Sequence, residues 1–175
     1  MRNALLLTLV LALPVPMAAQ RFATPDSVGT GLSGVRLGLF GFSAKGGADF
    51  KAGGRIIAGF ALDLGDLFTD RVRLRPSLEI GIDADTTNYI GSAELMYRFT
   101  PDSQLAVPYV LFGLGLYGQQ HCNTVAVGCP KVLAQFGLGF ELKLDEHMAW
   151  MLEYHGEDAL RRHRILVGLT TRRAR

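Results

Sequence analysis

The sequence predicts an all-β protein, an eight-stranded antiparallel up-and-down transmembrane β-barrel with a polar, side-chain-filled interior. Three observations predict it. The first is Lys131 to Leu144, KVLAQFGLGFELKL, whose even positions are all apolar and whose odd positions are mostly small, polar or charged. Side chains alternate faces along a strand, so this is a β-strand with one apolar and one polar face. It is long enough for a tilted strand to cross a bilayer, which takes roughly 9–11 residues. The second observation is that similar segments recur eight times, an even number and the minimum for membrane barrels. The third is that charges and glycines share one face of these segments while bulky apolar residues fill the other.

Composition agrees with one domain. The chain has 175 residues, is 49% hydrophobic, carries 21 glycines and only 19% charged residues, and has a formal charge of +2. That charge, with no basic patch interleaved with aromatics, gives no reason to expect nucleic acid. Residues 1–19 read as a secretory signal peptide: Arg2, then the short apolar run Ala4 to Leu13, then Pro14 and Pro16, then Ala18-Ala19 before Gln20. The run is shorter than the roughly 17–25 residues of a membrane helix, which argues against an anchor. Residues 20–34 are polar and rich in Gly, Ser and Thr, and read as an irregular leader.

The strands follow in residues 35–171. Strand one is Val35 to Ala44; Val35, Leu37 and Leu39 share a face, and Phe40 and Phe42 blur the alternation. Gly46-Gly47 and Gly53-Gly54 bracket the first expected loop. Strand two, Arg55 to Leu64, sets Ile56, Ala58, Phe60, Leu62 and Leu64 against Arg55, Gly59, Ala61 and Asp63. Gly65 to Asp70 reads as a turn. Strand three, Val72 to Asp83, alternates Val72, Leu74, Leu78, Ile80 and Ile82 with Arg73, Arg75, Ser77, Glu79, Gly81 and Asp83. Pro76 cannot donate to the ladder and marks a candidate bulge. Strand four, Thr87 to Phe99, points Asn88, Ser92, Glu94 and Arg98 inward with Ile90 and Met96. Pro101-Asp102-Ser103 signals the next turn. Strand five, about Val107 to Gly118, turns Tyr109, Gly113, Gly115 and Tyr117 inward. A longer loop from Gln119 to Pro130 leads to strand six, the segment quoted above. Asp145-Glu146-His147 is a tight turn. Strand seven, Met148 to His155, turns Ala149, Met151, Glu153 and His155 inward. Gly156 to Arg162 reads as a charged loop. Strand eight, His163 to Thr171, opposes Ile165, Val167 and Leu169 to Arg164, Gly168 and Thr170. Residues 172–175 form a basic tail.

A soluble eight-stranded barrel of the lipocalin kind would be apolar inside and polar outside. Two features decide against it. One face carries Asp63, Arg73, Arg75, Glu79, Glu94, Arg98, Glu141, Lys143, Glu153 and Arg164, and the opposite face almost no charge. The charged face is also rich in glycine, and an eight-stranded barrel is only just wide enough for its own side chains. Small residues belong on the crowded inside, so the charges line the interior and the bulky apolar face meets lipid. Outward aromatics add support. Tyr97, Phe99 and Trp150 fall near the expected periplasmic rim and Tyr89 and Tyr154 near the outer rim, where amphipathic rings are favoured.

The run Pro108-Tyr109-Val110 through Gly113-Leu114-Gly115, the FGLGFELKL of strand six and the LVGLTT of the last strand resemble a family. It is that of the small outer-membrane β-barrel proteins of the OmpA/OmpX type, including the Opa-like and "outer membrane protein beta-barrel" groups. The resemblance covers about Val35 to Thr171, and its motifs are patterns that identify architecture rather than activity. It implies residence in the bacterial outer membrane, assembly by the barrel-assembly machinery, contact with membrane lipid and lipopolysaccharide, and outer loops able to meet a surface ligand. A monomer is expected. Members usually end on an aromatic residue, whereas this chain continues into Thr171-Arg172-Arg173-Ala174-Arg175.

Candidates for chemistry are few. Cys122 and Cys129 lie in the expected outer loop of a secreted chain, and an oxidising compartment favours a disulfide between them. A metal site using His121 with both thiolates lacks a fourth ligand. Some eight-stranded barrels modify lipid A, and the deacylases resemble this chain only in having a late histidine. Here Glu157 stands where their serine would follow His155, so nucleophilic catalysis lacks its nucleophile. The plainer reading is a rim histidine and a solvated loop carboxylate. No catalytic residue, cofactor site or metal site is expected. Counting across the turns pairs Asp63 with Arg73, Arg75 with Glu94, and Glu153 with Arg164. The function expected is non-catalytic: structural or loop-presenting, with a lumen plugged by charges. A narrow pore is the alternative, and a lipid-modifying enzyme a remote one.

Overall fold

The computed structural model describes residues 34–50, 54–82, 87–119, 130–158 and 160–172. Eight strands follow one another: β1 (Val35–Asp49), β2 (Arg55–Leu67), β3 (Val72–Ile82), β4 (Thr87–Arg98), β5 (Ala106–Gln119), β6 (Lys131–Lys143), β7 (Met148–Glu157) and β8 (Arg162–Thr171). Each pairs antiparallel with its neighbours in sequence, and β1 closes on β8 from Ser43–Thr170 to Asp49–Arg164. Closure removes every sheet edge, so all backbone groups of the wall can pair within the protein, the condition for crossing lipid with strands.

The alternation that announced the strands becomes their two faces. In β5, Val107, Tyr109 and Leu111 are buried while Val110, Phe112 and Leu114 are exposed. Among the described residues, 31 large apolar side chains are exposed, from Leu37 to Leu169, whereas 19 polar or charged residues are buried against 11 apolar ones. An apolar exterior of that extent is incompatible with water, because monomeric soluble proteins rarely expose contiguous apolar patches beyond a few hundred Å². It suits hydrocarbon.

Several strands run further than periodicity suggests. Gly46 and Gly47 lie inside β1, paired with Ala58 and Ile57, not in a loop. Glycine here marks crowding rather than a turn: a Cβ on Gly47 would lie 1.9 Å from the Ile165 carbonyl oxygen. β1 therefore runs on to Asp49, and β2 begins at Arg55. Likewise β2 continues to Leu67, β3 stops at Ile82 within the described residues, and β7 continues to Glu157.

Gly65 explains how β2 stays in the wall past the expected turn. The β1–β2 register slips between Leu37–Gly65 and Gly41–Asp63. The β2–β3 register slips between Ala61–Ser77 and Asp66–Arg73, five steps on β2 against four on β3. This is a bulge, and Pro76 falls within the β3 side of it, where no amide N–H is available to pair. The β3–β4 ladder runs through Pro76 unbroken. Gly65 has φ +118°, and a Cβ there would lie 1.9 Å from the Arg36 carbonyl oxygen. The slip in β1 also accounts for the blurred alternation: Leu37 and Leu39 face out, and after the slip Phe42 and Ala44 face out while Ser43 and Lys45 turn in.

The turns at the end that holds both termini are short. In the β6–β7 turn the Asp145 carboxylate accepts from the backbone N–H groups of His147 (2.7 Å) and Met148 (2.8 Å), which hold its pKa below the ordinary range. At the other end, Asp158 (φ 49°) and Leu160 (φ 66°) close the β7–β8 hairpin.

Candidate functional site

The lumen is where the chain concentrates its chemistry, and it is filled by ion pairs in three tiers, the central and far ones joined through Arg164. At the end holding the termini, Arg73 reaches Asp102 (2.5 Å), Asp63 (3.3 Å) and Asp66 (3.7 Å). Arg98 reaches Asp102 (2.7 Å) and Glu141 (2.9 Å). Asp102 comes from the β4–β5 turn, so a turn residue folds back to cap the tier.

The central tier is organised around Glu153. Its carboxylate accepts from Arg75 (2.5 Å), the Tyr109 hydroxyl (2.8 Å) and Lys45 (3.1 Å), and lies 3.0 Å from His155 Nε2. Arg75 also donates through Nε to Glu94 (2.9 Å), its register partner across β3–β4. Glu94 further accepts from Gln135 (2.7 Å) and Ser77 (2.9 Å). Lys45 bridges to Glu79 (2.8 Å), which Arg164 also holds. The far tier joins Arg164 to Glu157, and Arg162 to Asp49 (2.5 Å), with the Arg162 guanidinium 4.9 Å from the centre of the Tyr117 ring.

Charge closes on itself here. Lys45, Arg73, Arg75, Arg98, Arg162, Arg164 and Arg172 are buried, and so are Asp49, Asp66, Glu79, Glu94, Glu141, Glu153 and Glu157. Each of the seven carboxylates meets at least one of the first six cations, with half-buried Asp63 and Asp102 joining Arg73 and Arg98, while Arg172 donates to the Gln104 backbone carbonyl (3.0 Å). A buried carboxylate left without its cation would cost several kcal/mol. Space is equally scarce. A cavity among these side chains at the end holding the termini, between Ser43, Asp63, Arg73, Arg98 and Glu141, measures about 20 Å³, room for about one water molecule. Glycine makes the packing possible: a Cβ on Gly139 would lie 2.7 Å from the Tyr109 ring, and one on Gly59 2.8 Å from the Glu79 side chain.

The residues named from sequence fall as follows. Arg73, Arg75, Glu79, Glu94, Arg98, Glu141, Glu153 and Arg164 are buried in the lumen, and Asp63 is half-buried beside Arg73. Lys143 is exposed; it has inward parity but sits at the strand's last position, beyond the wall's shelter. Arg75 meets Glu94. Asp63 meets the Arg73 side chain although the bulge puts Asp66 opposite Arg73 in the ladder. Glu153 does not meet Arg164: the short β7–β8 hairpin sets His155 opposite Arg164 and Leu166 opposite Glu153, two residues from the expected register. Arg164 turns instead to Glu79 and Glu157. Glu157 is buried, not a solvated loop carboxylate, because β7 extends through it. His155 is buried beside Glu153 rather than at the rim. Lys45, Asp49, Asp66 and Arg162 were missed because each lies beyond an expected strand end; the inward parity of Lys45 and Asp49 could have found them had Gly46-Gly47 been kept in the strand. Tyr89, Tyr97, Phe99 and Trp150 are exposed on the outside. Tyr154 is half-buried and its hydroxyl lies 2.6 Å from His163 Nδ1. Cys122 and Cys129 lie outside the described residues, as do the signal peptide, the leader up to residue 33 and the last three residues of the tail.

Glu79, Glu94 and His155 place ligand atoms within 4.8 Å of one another. Both carboxylates already face cationic side chains, Lys45 and Arg164 for Glu79 and Arg75 for Glu94, and this donor set suits guanidinium and ammonium groups better than a divalent ion.

No family model matches the chain, and no curated protein matches it. Solved structures do. The N-terminal β-barrel domain of Pseudomonas aeruginosa OprF matches with a TM-score of 0.59 at 18% identity, over 77% of this chain and 98% of that one. The chain has the fold of the small eight-stranded outer-membrane barrels. Neisserial surface protein A matches as well, with a TM-score of 0.54 at 11% identity, over 75% of this chain and 94% of that one. At such identities the likeness speaks for the fold alone.

Proposed function

We propose that this protein is a non-catalytic barrel of the bacterial outer membrane, exported by its N-terminal signal and inserted by the barrel-assembly machinery. In this reading it supports the envelope or presents its loops to a surface partner, in contact with phospholipid and lipopolysaccharide, and its lumen is plugged. The supporting observation is the lumen itself: six buried cations paired with seven buried carboxylates, beside a cavity of about 20 Å³. Opening a water path would mean separating several of these pairs together. The outer-membrane setting draws on the apolar exterior and on the OprF and NspA likeness. The absence of catalysis rests on the site: His155 and Glu153 are adjacent, but their neighbours are Arg75, Lys45 and Tyr109, all engaged in ion pairs or hydrogen bonds and walled from both membrane and solvent. The test is single-channel conductance of protein refolded into planar bilayers. No stable, large conductance is expected; a steady, reproducible open state would replace the plugged reading with a pore.

A further inference from the structure

The apolar exterior is not uniformly filled. Between β3 and β5 the wall is indented by a concavity of about 630 Å³ whose lining includes Leu78, Tyr89, Gly91, Ala93, Leu114 and Leu116. Gly91 is its floor. It stands opposite Leu78 on one side and Leu116 on the other, both exposed, and a Cβ on Gly91 would meet no atom within 4 Å. Lumen glycines such as Gly59, Gly113, Gly137 and Gly139 are the reverse, with Cβ positions that would fall within 3.0 Å of a neighbour. Tyr89 closes the loop-side end. A Cβ on Gly118 would fall 2.2 Å from the Tyr89 ring and 2.3 Å from its hydroxyl, so the ring lies across Gly118 on β5, leaning away from Gly91. The strand is thus one large side chain short at Gly91, and the flanking leucines form the sides of a slot.

We propose that this slot is a binding site for a single hydrocarbon chain of a membrane lipid. This rests on the membrane setting argued above. The slot is continuous with the lipid-facing belt, and its lining offers almost nothing for water to hydrogen-bond, so water is a poor occupant at this depth. Two occupants remain, an acyl chain or a side chain from a second copy. A two-fold dimer joins the same patch on both subunits. A side chain of that same patch would then have to reach the partner's slot, with two rigid walls matched in shape. A flexible chain fits without that requirement, and the slot opens onto the belt that the membrane setting already fills with hydrocarbon, with the Tyr89 hydroxyl marking the end nearer the headgroup.

The experiment is native mass spectrometry of the full chain refolded into dipalmitoyl phosphatidylethanolamine vesicles, released in mild detergent. Three chains are compared: wild type, Gly91→Leu, which fills the slot, and Ala58→Leu, which adds the same bulk at another outward position on β2. All three are first checked for the unheated mobility of a folded barrel. The expected result is one lipid retained per wild-type and Ala58→Leu chain, and at least a fivefold lower retained fraction for Gly91→Leu. Equal retention by all three, or none by wild type, overturns the proposal. A wild-type dimer that Gly91→Leu converts to monomer overturns it in favour of the second copy. If the barrel itself were not membrane-inserted, no variant would show folded mobility in vesicles, which separates that failure from failure of the slot.

Discussion

Arg75 is the residue whose removal the lumen should tolerate least. Its guanidinium joins two carboxylates, Glu94 at 2.8 Å and Glu153 at 2.5 Å, and all three side chains are almost fully buried. The two carboxylates differ in what they keep. Glu153 retains Lys45, the Tyr109 hydroxyl and His155. Glu94 retains only neutral donors within hydrogen-bond distance, among them Ser77 and Gln135. Arg75→Met therefore leaves Glu94 as a buried carboxylate without its cation, a defect that typically costs about 3–5 kcal/mol. Adding Glu94→Gln removes the orphaned charge, so the double variant should recover about 1–3 kcal/mol relative to the sum of the single changes, the usual size of coupling between touching residues. Lys45→Met should cost less than Arg75→Met, because Glu79 keeps Arg164 and Glu153 keeps Arg75. Urea unfolding in lipid vesicles gives these numbers. Trp150 is the only tryptophan and lies on the outer face, so its fluorescence reports leaving the membrane. An Arg75→Met cost below about 1 kcal/mol, or strict additivity with Glu94→Gln, would show that these pairs do not hold the lumen together.

Other perturbations probe the wall and a loop. Leu138→Arg, near mid-strand on the outer face, should destabilise the inserted barrel by about 2–4 kcal/mol, measured by the same unfolding assay; if it is neutral while Gln135→Leu is severe, the faces are reversed. Gly65→Ala, at φ +118° and against the Arg36 carbonyl, should cost on the order of 1–3 kcal/mol and slow the appearance of folded mobility on gels, and a silent substitution would mean the bulge does not require glycine. Cys122 and Cys129 should be disulfide-bonded in protein purified without reductant, with the barrel surviving reduction; mass spectrometry finding two free thiols contradicts this.

What the sequence made legible was the period-two pattern and its polarity. Lys131–Leu144 announced β6 because nothing interrupts its alternation, and charge with glycine on one face told inside from outside. The parts that were hidden share a cause: glycine serves both turns and crowded walls. Gly46-Gly47 resembles a loop opening, yet both residues are in the ladder, and at Gly47 glycine is there because the β8 backbone leaves no room for a Cβ. Gly65 resembles a turn start, yet it carries a bulge. Ending strands at such glycines cut Lys45, Asp49 and Asp66 out of the lumen. The pairing of Arg75 with Glu94 was readable because a continuous β3–β4 ladder fixes it. That of Arg164 was not, since two residues of hairpin register moved it from Glu153 to Glu79 and Glu157. Long arginines also reach across the lumen to strands that no local count connects, as Arg75 does from β3 to Glu153 on β7.

The central claim is that the wall sets its apolar face in hydrocarbon around a charged interior. Nitroxide labels at Val132, Ala134, Phe136, Leu138, Phe140 and Leu142, one at a time in vesicle-inserted protein, test it most directly. Oxygen, which concentrates in the hydrocarbon, should reach every one of these positions and reach most strongly those near Leu138, while a water-soluble nickel chelate should reach only the two ends. Nickel access rising toward Leu138 would place this face in water and contradict the account.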